Sequence, residues 1–202
     1  EILDRNAVGI RWLLQNHRDL IDAEFALNEG GGVGLKDGKP IRNSVQTSEK
    51  VSFSFRLEVR NPGGHSALPS KDNAIYRLSD GLARLARFDF PVKLNETTRA
   101  YFERMSVFVD PEVGSDMRAV ASRMDPAAVE RLSKTVRYNA QMRTTCVATM
   151  LEGGHAANAL PQTARATVHC RILPGEPVDE VLRTLVRVLA DDTEVTVVDV
   201  AL

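Results

Sequence analysis

The stretch Asn61-Pro62-Gly63-Gly64-His65-Ser66-Ala67-Leu68-Pro69 puts a histidine on a glycine-hinged loop, after an alternating strand and before an amphipathic helix. Two glycines remove side-chain bulk and accept backbone angles that other residues resist, so the imidazole can be held outward to reach beyond its own domain. Three more residues have chemistry suited to their settings. Glu29 ends a short apolar stretch and precedes three glycines. A carboxylate at the carboxyl end of a strand is placed to hold a hard or borderline metal ion. Asn158 lies in Glu152-Gly153-Gly154-His155-Ala156-Ala157-Asn158-Ala159-Leu160-Pro161, a loop with a flexible start and a rigid end. Its amide both donates and accepts, which suits a substrate carboxylate or amide. Arg171 falls on the polar side of a strand, where a guanidinium can grip a carboxylate in bidentate fashion. Singly, each has a plain reading as a loop glutamate, a surface histidine, a turn asparagine or a solvated arginine. His155 and His169 read as surface or packing residues.

The elements that must position these groups follow from periodicity. Val51, Phe53, Phe55, Leu57 and Val59 share one side of a strand, with Ser52, Ser54, Arg56, Glu58 and Arg60 on the other. Ile75, Leu78, Leu82 and Leu85 mark a helix starting near Asp72 or Asn73. Residues 143–151 and 164–173 read as strands, Pro177 opens a helix carrying Val181, Leu182, Leu185, Val188 and Leu189, and 194–200 closes as a strand. The order βαββαβ predicts an α+β, ferredoxin-like fold: a four-stranded antiparallel sheet with both helices on one face and a wet opposite face. A helical insertion, about residues 89–141, interrupts it, with Tyr101, Phe102, Met105 and Phe108 as one stripe and Asp125-Pro126 as a helix start. Residues 1–48 read differently. A helix over about 6–20, a strand at 23–27 and a glycine turn look like part of an α/β domain whose other strands lie elsewhere. Residues 49–202 form the second domain.

The 202 residues carry a formal net charge of -1 and 43% hydrophobic residues, which suits soluble globular domains and gives no argument for nucleic acid or a membrane as partner. Cys146 and Cys170 are the only cysteines, too few for a disulfide framework or a cysteine-based zinc site. Simple antiparallel pairing of the two strands places them opposite or nearly opposite each other. Buried thiols are the favoured reading, and a cross-strand disulfide, which needs an oxidising compartment, is the alternative.

The ordered set Phe25-Ala26-Leu27-Asn28-Glu29-Gly30-Gly31, Gly63-Gly64-His65-Ser66 with Pro69, and Gly153-Gly154 through Asn158-Ala159-Leu160-Pro161 to Arg171 resembles the zinc-dependent metallopeptidases. These include aminoacylase, glutamate carboxypeptidase, succinyl-diaminopimelate desuccinylase and the Gly-X carboxypeptidases. The resemblance implies a zinc-binding α/β domain interrupted by a ferredoxin-like lid that mediates homodimerisation. It implies Glu29 as a ligand of one of two zinc ions, and His65 as the lid histidine that enters the partner subunit's site and polarises the scissile carbonyl. Asn158 and Arg171 match lid positions that hold the substrate's carboxylate end, the substrate being a peptide or N-acyl amino acid. The insertion departs from the simplest members and is nearest the carboxypeptidase and N-acyl-amino-acid hydrolase branch. The family's His-x-Asp element, bridging Asp, Glu-Glu pair and distant His are missing from these 202 residues. The expectation is therefore a central fragment, inactive alone and poor at binding metal, from a cytoplasmic protein or, if a signal peptide has been removed, a periplasmic or secreted one. The competing expectation is a non-catalytic ferredoxin-like module that binds a small ligand or mediates dimerisation.

Overall fold

The computed structural model describes residues 8–24, 31–190 and 194–198. The chain divides into two compact units, residues 1–46 with 200–202, and residues 47–199. The first contains helices α1 (Val8–Asn16) and α2 (Arg18–Ile21), and strands β1 (Gly32–Lys36) and β2 (Lys39–Ser44), paired as an antiparallel hairpin. The single helix expected over 6–20 is interrupted at His17. Asp37 and Gly38 both take positive φ at the hairpin turn, as a two-residue connection with the twist of its strands requires. Ala23 and Glu24 are not in a strand, and Phe25–Leu27, with Glu29, lie outside the described residues.

In the second unit the chain forms β3 (Val51–Arg60), β4 (Gly64–His65), α3 (Ala74–Ala86), four insertion helices α4 (Glu96–Met105), α5 (Pro111–Arg123), α6 (Pro126–Ser133) and α7 (Val136–Met142), then β5 (Thr145–Gly153), β6 (Ala159–Leu160), β7 (Thr163–Ile172), α8 (Val178–Leu189) and β8 (Glu194–Val198). The main sheet runs β5-β7-β3-β8, antiparallel throughout. In β3-α3-β5 and again in β7-α8-β8, a strand is skipped and the helix makes the crossover. The uniform handedness of such crossovers puts both helices on one face. Phe55, Leu57, Val59, Ala164, Ala166, Val168, Cys170 and Ile172 point to that face and are buried with Leu78, Leu85, Val181, Leu185 and Leu189. Period-two burial along β7 is the strand's half of this core. The 3.6-residue spacing of Val181, Leu185 and Leu189 is the helix's half.

Asn73 caps α3 by accepting from the Ile75 N–H (2.8 Å), which settles the start left open between Asp72 and Asn73. Pro177 stands at the N-cap of α8, one position earlier than expected. The insertion builds its own small core from Phe102, Met117, Val120, Ala121, Ala128, Leu132 and Met142. Asp110 and Asp125, each followed by proline, cap α5 and α6. Phe108, expected on the buried stripe, is instead 47% exposed. Polar ties bind the insertion to the sheet unit: Lys93 Nζ to Glu176 Oε1 (2.7 Å) and Arg143 Nη1 to Asp89 Oδ2 (3.3 Å), with Glu176 also accepting from the Thr144 hydroxyl.

Cys146 and Cys170 face each other in register across β5 and β7 and are joined as a disulfide. The favoured expectation of free thiols is thus corrected. Core thiols and a cross-strand bridge need the same register, and the register alone does not choose between them. Among the described residues no helix is long and apolar enough to cross a membrane.

Candidate functional site

The histidine loop is braced on both sides. Asn61 donates its N–H to the Gln162 carbonyl (2.9 Å) and accepts from the Gly63 N–H through its side chain (3.0 Å). Gly63 then takes φ +80°, and a Cβ there would meet Gln162 Cγ at 2.7 Å. Only glycine fits without displacement, for conformational and steric reasons together. Past the hinge, β4 pairs with β6 so that His65 lies opposite Ala159, and the Ser66 N–H reaches the Asn158 carbonyl (3.0 Å). Two loops nearly a hundred residues apart in sequence are therefore locked into one projection carrying both His65 and Asn158. No local pattern signals this small sheet, since two-residue strands have no periodicity to read.

The His65 side chain is exposed, and its Nδ1 accepts the Ala67 N–H (3.0 Å). A neutral imidazole accepting at Nδ1 carries its proton on Nε2. Nε2 has no partner among the described residues, so the ring presents a fixed, outward N–H donor. The Asn158 side chain is likewise exposed and makes no hydrogen bond among the described residues.

Arg171 lies elsewhere. It is the penultimate residue of β7, on the wet face between Ser52 and Thr145, while the His65 projection adjoins the Thr163 end of that strand. At ~3.3 Å per residue Thr163 and Arg171 are ~26 Å apart along β7. The structure brings His65 and Asn158 together and leaves Arg171 far from both. No single small substrate spans them within one chain.

Between Arg171 and the strand centre, His169 Nε2 meets Ser52 Oγ (3.1 Å) and Nδ1 meets Ser54 Oγ (3.2 Å), a satisfied packing role. Burial, and then repulsion from Arg171, holds this imidazole below its ordinary 6.5. With the folded value depressed, the unfolded chain takes up the proton first. The stabilisation is present above about pH 6.5 and is lost as pH falls through the folded value. Denaturant midpoints measured between pH 7.5 and 5 should fall, and His169→Gln should flatten that decline.

Lys50 was not singled out by the sequence. It stands two positions before Ser52, with the parity of the wet face, and its ammonium donates to the Arg143 carbonyl (2.6 Å) and lies 3.4 Å from Thr145 Oγ1. That parity was the available signal.

Among the described residues no group of three or more His, Cys, Asp or Glu is placed to hold a metal ion. Those residues do not form a metal centre, and Glu29 lies outside them.

Residues 47–196 match the family model described as "Peptidase dimerisation domain". The chain belongs to this family. It is 32% identical over 177 residues to "Probable carboxypeptidase S-like 2" of Dictyostelium discoideum, covering 84% of this chain and 33% of that protein. It is 29% identical to the human "N-fatty-acyl-amino acid synthase/hydrolase PM20D1", covering 85% of this chain and 35% of that protein. The chain thus spans about a third of the length of these curated relatives. Among solved structures it is similar to an M20 family metallo-carboxypeptidase, Sso-CP2 of Sulfolobus solfataricus, at a TM-score of 0.42 and 16% identity, over 74% of this chain and 42% of that one.

Proposed function

We propose that this chain is the lid and dimerisation part of a metal-dependent hydrolase that cleaves an amide bond next to a free carboxylate, in a peptide or N-acyl amino acid. Zinc, held by residues beyond those described, is the metal we infer, and Glu29 is one of its proposed ligands. The metal's part would be to activate water. This chain's own residues would bind, orient and polarise the substrate. His65 is the proposed donor to the developing oxyanion, Asn158 its neighbour on the substrate, and Arg171 the grip on the carboxylate. Residues 1–48 are the proposed share of the catalytic domain. The Cys146–Cys170 bond favours an oxidising compartment.

The observation that carries the reading is the separation of His65, on the β4–β6 pair, from Arg171 on the main sheet. Two such groups serve one small substrate only if two copies of the chain each contribute one. An interface for that second copy is available. Strand β5 is an edge strand of nine residues with no proline or lysine, and Val147, Met150 and Leu151 on it are exposed. Natural edges of this length are normally blunted by charge, bulge or cover, and an apolar edge such as this favours pairing with another chain. The single irregularity, between Ala148 and Met150, leaves pairing sites on both sides. Ile75 and Tyr76 of neighbouring α3 extend the apolar surface. Antiparallel β5–β5 pairing about a two-fold axis would join the two sheets into one.

The double substitution Met150→Lys/Leu151→Lys is expected to halve the mass of the chain in sedimentation equilibrium and to leave its far-ultraviolet dichroism unchanged. A dimer that persists would remove β5 as the interface.

A further inference from the structure

The end of the wet face around Arg171 holds a second cation that the reading above does not use. Ser52, Arg171 and Thr145 form one row across β3, β7 and β5. Lys50 precedes that row on the same face, and its side chain crosses to β5, where Nζ contacts the Arg143 carbonyl and Thr145 Oγ1. It therefore passes alongside Arg171. Among the described residues no carboxylate lies within ion-pair distance of Lys50 or Arg171. Glu176, the nearest acid acting on Lys50, has its own partners in Lys93 and Thr144. An ammonium has three N–H donors, and two are directed at the Arg143 carbonyl and Thr145 Oγ1, so one is left for a further acceptor.

We propose that Lys50 and Arg171 together form a carboxylate-binding site, the guanidinium supplying the planar fork and the ammonium a point charge beside it. The inference rests on the reading of Arg171 given above and adds the residue that completes its site. Two half-screened cations side by side repel each other, and a bound carboxylate relieves that repulsion. The same strain acts on Lys50 without the anion: burial, with repulsion from Arg171, brings it down to about 8 against the upward pull of Glu176. Lys50 also has a local task, since Arg143 is the C-cap of α7 and its carbonyl is one a lysine commonly satisfies. The experiment must separate the two roles.

The test is a titration of the isotopically labelled 202-residue chain with N-acetylglycine and, separately, with N-acetylglycinamide, followed through the Lys50 Cε–Hε and Arg171 Nε–Hε resonances. With the acid both should move together and saturate, and with the amide neither should. Lys50→Met should weaken N-acetylglycine binding by roughly tenfold, as expected for loss of one charge-assisted hydrogen bond, while Lys50→Arg keeps most of it. If Arg171 responds to the acid while Lys50 does not, and Lys50→Met binds as the parent does, Lys50 is only a helix cap and the inference falls while the role of Arg171 stands. If neither resonance moves, the carboxylate role of Arg171 falls with it.

Discussion

Replacing His65 by alanine in the full-length protein is expected to lower turnover by about two to three orders of magnitude, the usual loss when one preorganised donor to an oxyanion is removed. The Michaelis constant should change far less, because the ring would act on charge that develops only in the transition state. The fold should not notice. His65 is exposed, and among the described residues its only side-chain hydrogen bond is the one Nδ1 accepts from Ala67. Dimer mass and metal content should likewise be unchanged, because the exposed ring is neither part of the β5 edge nor a proposed metal ligand. Steady-state rates, with sedimentation and metal analysis on the same sample, check all three. Unaltered turnover would leave the projection without the role assigned to it. A fall in metal content would mean that His65 is a ligand and not a donor.

The strength of this expectation comes from how firmly the ring is held. A loop histidine with free rotation loses much of its advantage as a donor, since orientation must be found at each encounter. Here the Asn61 turn, the Gly63 hinge, the β4–β6 pairing and the Ala67 N–H together define the backbone path, the ring plane and the tautomer. A rigid sheet and two tied loops deliver Nε2–H outward.

Much of this scaffold could be read from the chain alone. Strand β3 is legible because one face is buried and the other wet, so every second residue between Val51 and Val59 declares its side. Helices α3 and α8 are legible for the same reason at the helical period. The order of these elements then leads to the ferredoxin-like arrangement. Other features were beyond such reading. The β4–β6 pair depends on a meeting of residues 64–65 with 159–160, which no local pattern encodes. The β1–β2 hairpin had a signal in Asp37-Gly38, but its strands carry Gly32, Gly34 and Pro40, which obscure alternation. The disulfide was hidden because oxidised and reduced cysteines occupy the same positions. The distance between Asn158 and Arg171 was implicit, since thirteen residues including an extended strand cannot remain in one place. Lys50 carries little signal because it stands one residue before the strand begins.

The central claim is that one subunit's His65 and another subunit's Arg171 serve the same substrate. A mixed dimer of full-length His65→Ala and Arg171→Ala subunits tests it most directly. One of its two sites would then combine an intact His65 with an intact Arg171, and the other would have lost both. The account predicts that mixing two nearly inactive proteins, under conditions that let subunits exchange, restores turnover toward half the wild-type value per heterodimer. If the mixture stays as inactive as its parents although heterodimers have formed, the two residues act within the same subunit and the account is contradicted.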